Sequence, residues 1–261
     1  MRTTDMADEL FSAAAQPLPA GVRLATARHG GVTVTRVESA REGLSRPRGR
    51  YVTLEMPSVS VLDERDAAVI EVCARELRAL LPPKGPVLVL GIGNRRVTAD
   101  ALGPRTAQKI LVTMGPQHTL PVRGIRPVAA LAPGVSGDTG LTLRQLAAAM
   151  VDAARPAALI CVDSLCSAEA ARLGRTIQFS DTGLHPADAR HARHLDAAAL
   201  GVPVIAAGIP TLMQAQEGAD LVVTPRALDS VIAHGAALLA GSVNRALQPR
   251  LTVQQLCWLT G

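Results

Sequence analysis

Three stretches constrain this 261-residue chain more than anything else in it. PVLVLGIGN, AALICVDSL and GVPVIAAGIPT are continuously apolar, and each runs into glycine, aspartate or proline. Such a run has no polar face, so the strand it forms must be covered on both sides, as in a parallel sheet between helices. Around these runs the period turns helical. In VLDERDAAVIEVCARELRALL, Val69, Val72, Cys73, Leu77, Leu80 and Leu81 share one face, and Pro82 and Pro83 end the segment. ADALGPRTAQKILVTM, LTLRQLAAAMVDAA and LDSVIAHGAALLAGSVNRAL read as further helices, and RPVAALAPG as another strand. This alternation, with right-handed crossovers, predicts an α/β fold: a three-layer α/β/α sandwich around a central twisted, mostly parallel sheet.

Ahead of that core, Val32, Val34 and Val37 alternate with threonines after Gly30 and Gly31, and RYVTLEM follows the basic loop REGLSRPRGR. The two runs predict a hairpin. RTIQFSDTG also alternates and is expected at or near a sheet edge. Residues 1–20, which include AAAQPLPA, predict an appended segment and tether, and residues 21–261 a single domain.

Composition narrows the function classes. Hydrophobic residues at 48% and charged residues at 19% exclude a disordered chain and a coiled coil. With two Phe, one Tyr and one Trp there is no stacking platform for single-stranded nucleic acid. The 27 basic residues face 22 acidic ones without a long basic block, so no direct nucleic-acid partner is expected. No apolar run of 18 or more and no basic-then-apolar leader is present, which predicts a soluble, cytoplasmic protein with no membrane partner. Cys73, Cys161, Cys166 and Cys257 are widely spaced in apolar contexts and read as free thiols of a reducing compartment.

Ligands of open α/β sheets bind beyond the carboxyl ends of the strands. Four acids stand there. Asp100 follows GIGN within VTADALGP, Asp138 lies in LAPGVSGDTG, Asp163 ends ICVD, and Asp181 ends IQFSD with His185 nearby. A carboxylate at the end of a buried strand is costly unless paired, hydrogen-bonded or protonated, and Asp163 follows LICV directly. Two such groups that converge can share a proton, activate a water and protonate a leaving group. The competing reading of Asp163 is a helix cap, and that of Asp138 and Asp181 is turn chemistry in GDTG and SDTG. GIGNRR lacks the third glycine of a dinucleotide fingerprint, so no nicotinamide cofactor is expected, and GxSxG is absent. His185, His191 and His194 make a metal site in one reading and part of a solvated Ala- and Arg-rich stretch in the other.

RTTDMADE, GGVTVTRVES, GRYVTLE, GIGNRRVTADALGP, RPVAALAPGVSGDTGL, ICVDSL, RTIQFSDTGLHP, LGVPVIAAGIPT and LVVTPRALDSVI follow one another from residue 2 to about residue 247. In that order they resemble the germination protease family, spore endopeptidases that degrade small acid-soluble, DNA-coating proteins and are similar to hydrogenase-maturation proteases. The resemblance implies a zymogen with two essential aspartates at Asp100 and Asp163, no cofactor and no metal. Asn94, Asp138, Asp181 and His185 are the expected supporting or substrate-binding residues. It also implies partial self-removal of an N-terminal segment by cleavage after a glutamate beside a hydrophobic residue. DELFSA offers the bond between Glu9 and Leu10, unless DELF is a first helical turn. The implied partners are small acid-soluble spore proteins and further copies in a homotetramer, within the spore core.

Three departures bear on this. The long insertion before the VTP string is missing, ADARHARHLD replaces a Gly-rich loop, and Ala168 stands where the family carries arginine five residues after the aspartate. Two alternatives stay open: a metal-recognising maturation-type protease holding an ion with Asp100, Asp163 and His185, and a non-catalytic relative that binds spore proteins.

Overall fold

The structure, a computed structural model, describes residues 4–12, 18–40, 46–62, 66–115, 124–185, 194–214 and 222–260. Among these residues the strands are β1 (Val22–His29), β2 (Val32–Ser39), β3 (Gly49–Glu55), β4 (Val87–Gly91), β5 (Val128–Leu131), β6 (Ala158–Cys166), β7 (Thr176–Ser180), β8 (Val204–Gln214) and β9 (Val222–Val223). The helices are α1 (Ala7–Ser12), α2 (Ala67–Leu80), α3 (Leu102–Gln108), α4 (Ser136–Thr139), α5 (Leu143–Ala154), α6 (Ala197–Leu200), α7 (Leu228–Leu247) and α8 (Val253–Thr260). One sheet runs in the order β1-β2-β3-β7-β8-β6-β4-β5, with β9 beside β8.

The sheet has two halves. The continuously apolar runs form the parallel half, in which β6 is flanked by β4 and β8, and β4 by β5. Their side chains divide by parity between two helical layers, as the absence of alternation required. Val87 and Val89 of β4 and Ile160 and Val162 of β6 join the core under α2 and α7. Leu88, Leu90, Leu159 and Cys161 join the opposite core, against Leu143 and Met150 of α5 and Leu200 of α6. Asp163 continues the parity of Leu159 and Cys161, so its side chain leaves the sheet on the α5 side.

The antiparallel half consists of β1, β2, β3 and β7, which pair in sequence, and β7 closes it onto β8. The expected hairpin is present as β2 and β3, with β1 added outside it. β1 escaped the sequence reading because it is an outer strand whose residues after Val22 are mostly exposed, so it carries little apolar pattern.

β7 corrects an expectation. Its alternation suggested an edge, yet all five of its residues are buried, between β3 and β8. Thr176, Gln178 and Ser180 face the N-terminal segment and the cavity described below, where they have polar neighbours, while Ile177 and Phe179 enter the core. Alternation marks a polar face, and here that face is covered by other parts of the same chain. Burying Phe179 completely contributes about 2–3 kcal/mol relative to leaving it exposed.

α3 is also shorter than expected. Beyond Gln108 the Asn244 side chain takes over the backbone, accepting from Leu111 N and donating to Lys109 O. That pulls the chain out of the helix towards β5, where Thr113 and Met114 both donate to Val128 O. α8 carries too short an apolar pattern to stand out in the sequence. Among the described residues no helix is long and apolar enough to cross a membrane. All four cysteines are free, as expected, with Cys257 half-buried and the rest buried.

Candidate active site

Asp100 closes a short turn (Thr98–Asp100) between β4 and α3, and Asp163 lies within β6, one residue beyond its last pairing with β4. β6 runs on to Cys166 beside β8, which corrects the expectation that its strand ends on Asp163. Gly91 of β4 pairs with Val162 of β6, and Ile92 N donates to Val162 O at 2.8 Å. α3 crosses these strand ends at backbone contact. A Cβ on Gly103 would lie 2.3 Å from Ile92 O and from Val162 O, and one on Gly91 would lie 2.1 Å from Gly103 O. Only glycine permits that crossing, which holds the turn before α3, and Asp100 with it, against β6 at Val162. Thr211 Oγ1 of β8 ties the same turn by donating to Ala99 O at 2.9 Å.

Each carboxylate is oriented by a backbone N–H. Asp100 Oδ2 accepts from Asn94 N at 2.6 Å, and Asp163 Oδ1 accepts from Ser164 N at 2.8 Å. Gly93, at a φ of 122°, brings its backbone under Asp100: a Cβ there would lie 2.0 Å from Asp100 O. Both aspartates are half-buried and both line one cavity of about 480 Å³. Beneath Asp163, the Cys161 thiol is pushed up in pKa, first by burial and then by the Asp163 charge.

The cavity is walled by β6, β7 and β8 and by the loop from Gly134 to the start of α5. α5 begins there on a capping box: Gln145 N donates to Thr142 Oγ1 and Thr142 N to Gln145 Oε1. TLRQ carries that signature in the sequence, which could have placed the helix start at the cavity rim.

The other residues singled out from the sequence divide. His185 lines the cavity, with Nε2 2.9 Å from Thr182 O and 3.8 Å from Asp196 Oδ2 and its ring edge-on to His194. Asn94 supports Asp100 through its backbone, while its side chain accepts from Arg96 N. Asp181 is outside the cavity lining and ties β7 to β3, accepting from Arg50 N and from Arg50 Nε at 2.7 Å each. Asp138 is exposed and stands 3.6 Å from Arg96. For these last two the geometry matches turn and ion-pair roles. His191 lies outside the described residues. Among the described residues no group of three or more His, Cys, Asp or Glu is placed to hold a metal ion.

The N-terminal segment is where the structure departs most from the sequence reading. Residues 4–12 are packed on the sheet, and Glu9 is 8% exposed. Its carboxylate accepts from Thr4 Oγ1, Ser167 Oγ and Ala168 N, and stands 3.4 Å from Arg172 Nε. DELF thus takes its helical reading, as part of α1, and the Glu9 carboxylate is locked in the fold. Most of AAAQPLPA lies outside the described residues. Burial opposes the Arg172 charge, but Asp8, Glu55 and Glu9 around it outweigh that and raise its pKa.

Sequence reasoning missed Arg46, Asp5, Tyr51 and Gln178, which all line the cavity. Arg46 is one arginine among several in REGLSRPRGR, and nothing local separates it from Arg48 or Arg50.

The cavity thus carries the carboxylates of Asp100 and Asp163, with His185 and Arg46 along its wall. The family model described as germination protease, peptidase family A25, matches residues 5–217, and the chain belongs to that family. The germination protease of Clostridium perfringens is 30% identical over 277 residues, covering 84% of each chain. That of Bacillus velezensis is 36% identical over 237 residues, covering 84% of this chain and 62% of its own. The [NiFe] hydrogenase maturation protease HycI of Thermococcus kodakarensis covers 64% of this chain and 98% of its own, with 20% identity and a TM-score of 0.37.

Proposed function

We propose that this chain is the endopeptidase that begins the degradation of small acid-soluble spore proteins during germination, with Asp100 and Asp163 acting as a pair on one water. The observation that supports it is the cavity they share where the turn before α3 meets β6, each oriented by a backbone N–H. In that arrangement one carboxylate takes a proton from the water as it attacks the peptide carbonyl. The other, protonated, hydrogen-bonds the carbonyl oxygen, and a proton then passes to the leaving amine. Family membership supports a protease acting on spore proteins. The acid-soluble class, the spore-core location and a homotetramer are carried from the resemblance.

Residues 1–20 are the proposed propeptide segment, attached to a single domain over residues 21–261. Cutting between Glu9 and Leu10 requires α1 to leave the sheet, because Glu9 is held by Ser167, Ala168 and Arg172 while it is docked.

The test is incubation of the full chain with a small acid-soluble spore protein, followed by intact-mass measurement. Wild type should cut the substrate and lose a short N-terminal peptide. Asp100→Asn and Asp163→Asn should each lower cleavage by at least about a thousandfold, in the upper range for a general acid or base. Full activity in either variant removes the pair, and inhibition by a chelator would favour the metal-dependent alternative.

A further inference from the structure

Arg46 is the one permanent cation among the described residues that line the cavity. Its side chain is 9% exposed, and a guanidinium withdrawn from water needs acceptors for its five N–H groups. Nη1 donates to His185 O at 2.6 Å, Nη2 donates to Thr4 O at 2.8 Å, and Nη2 stands 3.5 Å from Asp5 Oδ1. Two of these three acceptors belong to a strap, residues 4–7, that is held as a peptide ligand is held. Asp5 N donates to Cys166 O and Cys166 N donates to Asp5 Oδ2, both at 2.8 Å. Gln178 grips the strap on either side of Met6. Its Nε2 donates to Asp5 O at 2.8 Å, and its Oε1 accepts from Ala7 N at 2.7 Å. Met6 between them is fully buried.

We propose that Arg46 is the specificity-determining residue that reads an acidic side chain of the peptide substrate, and that the strap displays the mode of reading. In that mode the carboxylate lies beside Arg46 and Cys166 N–H, the next apolar side chain is buried, and Gln178 holds the flanking peptide groups. The proposal rests on the protease reading above. The physical reason is the state of Arg46 once the strap leaves. It then keeps only His185 O among these acceptors, as a buried cation at the wall of an open cavity. A substrate carboxylate restores both charge and acceptors, whereas an amide of the same shape supplies no charge.

Two fluorogenic peptides that differ only in Glu or Gln at the cleaved position test this with the full chain. Wild type should favour the Glu peptide about a hundredfold in kcat/KM. Arg46→Met should bring the ratio of kcat/KM for the Glu and Gln peptides to within about threefold of one, through the larger fall on the Glu peptide. Arg46→Lys should keep a preference of about tenfold, since it retains the charge without the fork; it also serves if Arg46→Met fails to fold. An unchanged preference, or an equal fall on both peptides, overturns the assignment. If neither wild type nor Asp5→Asn, which weakens the strap's hold on Arg46, cuts either peptide, the protease reading fails, and fluorescence anisotropy of the same peptides then decides Arg46 by itself. In the Asp5→Asn background the Glu peptide should bind at least about tenfold tighter than the Gln peptide, with Arg46→Met abolishing the difference. Equal binding of the two peptides overturns the proposal.

Discussion

The two halves of the sheet solve different problems. In the parallel half, β5, β4, β6 and β8 meet their neighbours through backbone and apolar atoms, and α3 crosses the strand ends without room for a Cβ at Gly91 or Gly103. In the antiparallel half the connections are charged: Arg36 with Glu76, Arg50 with Asp181, and Arg172 with Asp8 and Glu9. The half with backbone contact fixes where the two aspartates stand. The N-terminal strap is held from both halves, by the Cys166 backbone at the end of β6 and by Gln178 of β7, with Asp8 and Glu9 behind it on Arg172.

Mutations can break that comparison. The largest effect is expected from Gly103→Ala. Its Cβ would meet two backbone oxygens at 2.3 Å, and neither can rotate away. We expect a loss of about 2–3 kcal/mol in urea unfolding, and about a hundredfold in kcat/KM because Asp100 shifts with the turn. Gly137→Ala has open space around it and should change stability by less than about 0.5 kcal/mol. Equal behaviour of the two variants would show that the crossing is loose.

Glu76→Gln probes the antiparallel half. Burial opposes the Glu76 charge, but hydrogen bonds from Arg36 at 2.7 Å and from Arg75 outweigh it and hold its pKa below the ordinary 4.5. A carboxyl depressed on folding adds stability above its unfolded pKa and loses it as pH falls through the folded value. The variant should therefore be less stable by about 1–2 kcal/mol at pH 7, a figure reduced from that of a fully buried pair because Arg36 is partly exposed. The deficit should shrink as pH drops below about 4.5. A deficit that stays constant with pH would assign the loss to packing.

The smallest effect belongs to Asp181→Asn. Its Arg50 partner is 46% exposed, so the loss should stay under about 1 kcal/mol, with kcat/KM within about threefold of wild type. A collapse of activity would move Asp181 from the ion pair into the site.

The strand-end acids show how far the sequence could be read. Asp100, Asp138, Asp163 and Asp181 all sit in the same kind of string, and periodicity cannot rank them. Asp163 stood out because LICV precedes it with no polar face. Asp138 and Asp181 stand in ion pairs whose arginines, Arg96 and Arg50, come from other parts of the chain. β7 misled because alternation reports a polar face without saying what covers it. Around Glu9 the sequence shows an acid and a hydrophobic neighbour, but not the hydroxyls of Thr4 and Ser167 that close around it while α1 is docked. Gln178 and Arg46 carried no local signal at all.

By itself the sequence determined the layers, the parallel strands and the hairpin, because each follows from a run of neighbours obeying one period. Only the tertiary structure decided that β7 is interior, that Glu9 is locked in the fold, and that Arg46 and the strap meet beside the aspartates. Those facts depend on contacts between residues far apart in the chain, such as Arg46 with Thr4 at 42 positions, Arg46 with His185 at 139 and Ala7 with Gln178 at 171. No local pattern encodes a pairing at that range; it forms when the sheet brings its strand ends together.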